Sequence, residues 1–307
     1  MRHPPRRKSS ETFKNKGLFP SPLPKFHPLE LETATIPDNI TWDFFHSMQR
    51  GETRMAGFDE RRVYSGAAGT RAQGAEIDAG LRTYMLRVYN YMAGALALTG
   101  VVAYAFFQMS VAPSADGGLA LTQLGQTLYA TPLKWVVMLA PLAMVFFLSF
   151  RIHKMSVGAA QTTFWLYAGM VGVSLATIFM IYTGNSIARV FFITALSFGA
   201  LSLYGYTTKR DLSGMGSFLF MGLIGIIIAM VVNIFLESSA LQFAISVIGV
   251  LVFAGLTAYD TQSIKEMYYE GDGHAVAAKK SIMGALRLYL DFLNMFLFLL
   301  QLFGNRE

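Results

Sequence analysis

Residues 286–304 read LRLYLDFLNMFLFLLQLFG and residues 252–262 read VFAGLTAYDTQ; each is an apolar run with one acid in it, Asp291 in the first and Asp260 in the second. A carboxylate inside a lipid-spanning helix is costly to hold, so it faces a protein interior or a wet pathway and marks a functional position. The two runs therefore predict a helical membrane protein with a titratable centre.

Composition agrees. Of 307 residues, 53% are hydrophobic and 14% charged, against about a quarter charged in a soluble domain, and the mean hydropathy is +0.42. Cysteine is absent, which excludes disulfide frameworks, thiolate metal sites and cysteine nucleophiles. About 20 apolar residues cross about 30 Å of hydrocarbon. On that measure seven stretches qualify: 85–108, 132–150, 162–183, 187–206, 215–236, 241–259 and 283–303. They are rich in Gly, Ala, Phe and Met, and none alternates with the period of a barrel strand. The expectation is an all-α bundle of seven transmembrane helices over 83–307.

Basic residues accumulate in cytoplasmic loops. Arg71, Arg82 and Arg87 precede or open the first span, Arg151 and Lys154 follow the second, Lys209 and Arg210 the fourth, and Lys265, Lys279 and Lys280 lie between the sixth and seventh. The alternate connections hold few, so the amino terminus is expected in the cytoplasm and the carboxyl terminus outside. Residues 1–54, with MRHPPRRKSS and LFPSPLPKFHPLE, form a basic, proline-rich stretch that cannot bury a core and is expected to be a disordered cytoplasmic tail. Met55, opening MAGFDERRVY, is an alternative start, and 55–82 reads as a cytoplasmic leader. The net charge of +6 divides between tail and loops, where anionic lipid heads account for it. Without a Walker loop, a GxGxxG after a strand, HExxH or a zinc-type cluster, the sequence offers no nucleic-acid or nucleotide site and no resident cofactor. The last span has no lysine for a retinal Schiff base, and LYLDF lacks the GxGD context of an intramembrane aspartyl protease, so enzymatic function is not expected.

The short connection between the sixth and seventh spans makes them antiparallel neighbours. Asp260 falls at the cytoplasmic end of the sixth, and Asp291 about 12 Å into the seventh when that helix is counted from Met283. The acids can therefore meet. Two carboxylates about 4 Å apart repel by about 4 kcal/mol at an effective dielectric near 20; such a pair shares one proton around neutrality and titrates as a unit. Fully ionised, Asp260 and Asp291 offer oxygens to a hard cation such as calcium. Blander arrangements stand beside this one: Asp260 as a helix-end residue paired with Lys265, and Asp291 neutralised by Arg287 one turn earlier. Asn294 and Gln301 are expected to hydrogen-bond between helices, and the Ala168/Gly172 and Gly225/Ala229 pairs to mark close packing.

FAGLTAYDTQSIKEMY over 253–268, followed by ALRLYLDFLNMFLFLLQLFG over 285–304, resembles the two carboxy-terminal signatures of the Bax inhibitor-1, or transmembrane Bax inhibitor motif, family, with compact loops like those of its bacterial branch. The resemblance covers about 80–304. It implies a seven-helix bundle with a central seventh helix, acting as a pH-sensitive calcium leak of the bacterial inner membrane, in which Asp260 and Asp291 match the family's proton-exchanging aspartate pair. It further implies a basic latch near the cytoplasmic end of the second helix. Arg151 in FFLSFRIHKMS is the nearest match, with His153 and Lys154 beside it. The acid that some bacterial members carry midway along the second helix is missing from WVVMLAPLAMVFF. Calcium ions, protons and the bilayer are the implied partners. The alternative function is a membrane-embedded modulator of a quality-control protease or another membrane protein, with residues 59–82 as its binding segment.

Overall fold

The computed structural model of the protein describes residues 60–114 and 118–306, with side chains from residue 78 onward. The expected tail over 1–54 lies outside the described residues. Seven helices are long and apolar enough to cross a membrane: α1 Glu60–Ser110, α2 Leu133–Arg151, α3 Val157–Leu175, α4 Gly184–Thr207, α5 Ser213–Leu236, α6 Ser239–Glu266 and α7 His274–Phe303. The chain is an integral membrane protein of seven helices, as its apolar runs predict. Only in a helix do all backbone groups of a lone segment bond within that segment, as hydrocarbon requires.

Short polar side chains fix where the helices begin. Ser156 accepts a hydrogen bond from the Ala159 amide at 3.2 Å before α3, Thr183 from Ser186 at 3.3 Å before α4, and Ser238 from Leu241 at 3.3 Å before α6. Each satisfies an amide that the first helical turn leaves open. The connection between α1 and α2 contains a small antiparallel hairpin, β1 Val111–Pro113 against β2 Leu119–Leu121. α5 ends at Glu237, whose left-handed φ of 48° turns the chain tightly into α6.

Two helices outrun their apolar cores. α6 continues past Asp260 to Glu266, and α7 begins at His274, ahead of Met283. Asp260 therefore lies about 9 Å short of the end of its helix, and Asp291 about 26 Å from the start of its own, at 1.5 Å per residue. Asp291 keeps its distance of eight residues, about 12 Å, from Met283, while both helices run beyond their apolar cores because the polar and charged turns flanking each run stay helical.

α7 is the centre of the bundle. In its most apolar window 67% of residues are buried, against 11% to 39% in the other six spans. Its Tyr289, fully buried, hydrogen-bonds the Thr99 hydroxyl of α1 at 2.7 Å, and Thr99 donates onward to the Ala168 carbonyl of α3 at 2.9 Å. The same crossing holds one of the expected small-residue contacts: a Cβ on Gly172 would lie 2.8 Å from the Thr99 carbonyl oxygen, so α3 and α1 meet backbone to backbone there. Gly225 does not behave as its pairing with Ala229 predicts. A Cβ there would meet nothing within 4 Å. α5 has the least buried span, 11% of its window, and Gly225 falls on its exposed side.

Candidate functional site

Positions 284, 291 and 298 of α7 are seven residues apart and share one face. At the outer two, α6 and α7 pack tightly. A Cβ on Gly284 would sit 2.9 Å from Ile264 Cγ2, and the Phe298 ring lies so near Gly249 that a Cβ there would be 2.6 Å from it. These two contacts pin the helices on either side of position 291. Midway between them, the Asp260 and Asp291 carboxyl groups come within hydrogen-bonding reach of each other.

The two acids meet different surroundings. Asp291 is 4% exposed, and no N–H or O–H among the described residues donates to its buried Oδ2. The Asp260 side chain is 16% exposed, and the Arg287 guanidinium stands 4.0 Å from its Oδ1. A buried carboxylate oxygen without a donor is expensive.

Both blander pairings are corrected by this geometry. Lys265 turns away from Asp260, donates to the Tyr206 carbonyl at 2.9 Å and rests 5.2 Å over the Tyr206 ring. Arg287 pairs with Asp260 rather than with Asp291. Its side chain is 43% exposed, and a long cation keeps its head at the wetter end of a site, where Asp260 and not Asp291 is found. The sequence reading weighed Arg287 only against Asp291, because spacing along one helix sees Asp291 and cannot see α6.

Asp260, Asp291, Arg287, Tyr259 and Asn294 line a cavity of about 790 Å³ between α5, α6 and α7, to which α2 contributes Leu142. Arg151 is exposed at the last residue of α2, and no carboxylate among the described residues lies within 4.0 Å of it. Next to it, the His153 carbonyl accepts from Lys279 of α7 at 3.1 Å, tying the end of α2 to the central helix. Among the described residues no group of three or more His, Asp or Glu side chains could hold a metal. Asn294 bonds the Leu290 carbonyl of its own helix, whereas Gln301 accepts from Gln242 at 2.7 Å and Ser246 at 2.8 Å across to α6. The interhelical role expected of both amides thus holds for Gln301 and not for Asn294, which faces the cavity.

A family model described as inhibitor of apoptosis-promoting Bax1 matches residues 81–307, a stretch that contains all seven of the apolar runs and both acids. The chain belongs to the Bax inhibitor-1 family. Among its relatives, a protein of Rickettsia prowazekii is 49% identical over 244 residues, covering 80% of this chain and 98% of the relative. One from Caulobacter vibrioides is 46% identical over 251 residues, 81% of this chain and 99% of the relative. The inner membrane protein YbhL of Escherichia coli K12 is 48% identical over 232 residues, 75% of this chain and 94% of its own length.

Proposed function

We propose that the chain is a pH-sensitive calcium leak channel gated by protonation of the Asp260–Asp291 pair. The observation that carries this reading is the two carboxyls within hydrogen-bonding reach, one of them buried without a donor, on the wall of a cavity about 790 Å³ in volume. At low pH a shared proton joins α6 to α7 and the cytoplasmic mouth is shut. Loss of that proton leaves two anions that repel by about 4 kcal/mol at about 4 Å and an effective dielectric near 20. The Gly284–Ile264 and Gly249–Phe298 contacts hold the helices on both sides, so the repulsion is relieved by side-chain movement into the cavity and by α2, which contributes only Leu142 to its wall.

Calcium takes six to eight oxygens. With two carboxylates and no third His, Asp or Glu clustered with them among the described residues, the site gives the ion a few oxygens and leaves water to supply the rest. That arrangement suits passage better than storage. Arg151, at the end of α2, is the latch that reaches an ionised Asp260 once α2 moves. The loop charges orient the amino terminus to the cytoplasm, and the relative named an inner membrane protein supports a bacterial inner membrane as the location.

The test is calcium entry into proteoliposomes holding the purified chain, followed with a trapped indicator across a pH series. Entry is expected to rise from acidic to neutral pH. Calcium permeability equal to that of empty liposomes at every pH would sink the proposal.

A further inference from the structure

α1 and α4 part on the membrane-facing side of the bundle. Between them runs an open groove of about 620 Å³, walled by Met85, Leu86 and Met92 of α1 and by Phe198 and Leu203 of α4, with Arg82 at one end. From Arg82 to Met92 the groove extends about 15 Å at the helical rise, the depth of one leaflet's hydrocarbon. Its polar groups are already occupied with one another. The Tyr89 hydroxyl and Ser202 Oγ are 2.6 Å apart, and Ser202 is 2.9 Å from the Thr261 hydroxyl of α6. The floor is therefore closed by a hydrogen-bonded chain, and what remains open to an occupant is apolar.

The mouth is cationic. Arg82 is the one charged residue lining the groove, and it has no carboxylate within 4.0 Å among the described residues. Tyr206, at the same end, carries Lys265 over its ring, and Lys209 and Arg210 follow α4 directly. Acids are near in sequence too. Asp211 caps the Ser213 amide at 2.8 Å, and Asp78 and Glu266 are exposed, so the four cations outnumber the three acids.

We infer that this groove binds one acyl chain of an anionic glycerophospholipid, with the phosphate at Arg82. An apolar slot one leaflet deep with a guanidinium at the headgroup level matches that ligand at both ends. Gly199 supplies a probe of the site. It lines the groove, and a Cβ added there would meet nothing within 4 Å, so a side chain can be started into the slot there without a clash at its root.

The experiment is native mass spectrometry of the full chain released from detergent, with phosphatidylglycerol or phosphatidylcholine added at equal concentration. Phosphatidylglycerol adducts are expected to be retained several-fold more than phosphatidylcholine. Arg82→Ala should bring the two lipids to parity, Gly199→Leu should lower retention of both, and Arg189→Ala, near the opposite end of α4 from Tyr206, should change neither. Equal retention of the two lipids by the parent, or a preference that survives Arg82→Ala, overturns the inference. So does a lipid-free dimer that Gly199→Leu abolishes, because the groove would then be a contact between copies.

Discussion

Asp291→Asn is the sharpest perturbation of the proposed gate. The amide keeps the shape of the acid and its place between the Gly284 and Gly249 contacts, while removing one of the two titratable partners. With both acids present, a coupling of about 4 kcal/mol separates the two proton releases by about three pH units. The parent's calcium permeability should therefore change gradually, over several pH units. In Asp291→Asn only Asp260 remains, beside Arg287 at 4.0 Å, and the dependence should contract to one proton over about two pH units or vanish. The carboxamide also supplies the N–H donor that the pair otherwise draws from a shared proton, so the variant should fold and reconstitute. Calcium entry into proteoliposomes, recorded at half-unit pH steps with equal protein per liposome, reads this directly. A pH profile in Asp291→Asn that superimposes on the parent's would refute the reasoning, because Asp291 would then take no part in gating.

Gly249→Ala drives a Cβ to 2.6 Å from the Phe298 ring and should cost about 1–3 kcal/mol by overpacking, whereas Gly225→Ala enters open space and should leave stability unchanged or raise it by up to about 1 kcal/mol; thermal unfolding in detergent orders the two. Tyr289→Phe removes the 2.7 Å hydrogen bond to Thr99 at a cost of about 1 kcal/mol, seen as a lower melting temperature with the helical circular dichroism intact. Arg151→Ala should alter calcium entry at neutral pH, where the pair is ionised, and leave both acidic-pH entry and thermal stability as in the parent; equal entry at all pH values removes Arg151 as the latch.

The amino-acid sequence by itself determined the class of molecule. Seven apolar runs in a chain 14% charged leave no soluble alternative, and the hydrocarbon thickness sets their length. It also singled out Asp260 and Asp291, since an acid in such a run stands out without any knowledge of packing. The seven-residue spacing of Gly284, Asp291 and Phe298 was present in the sequence as well, although its meaning depends on Ile264 and Gly249 facing it from α6. The tertiary structure alone decided that Arg287 serves Asp260, that Lys265 turns to Tyr206, that Gly225 lies open while Gly172 is tightly packed, and that α1 and α4 part around a groove. Hydropathy is a property of one helix and can be summed along the chain. Which of two carboxylates a guanidinium meets, or whether a glycine touches a neighbour, depends on the rotation and separation of two helices. Those are fixed by the whole set of side chains between them.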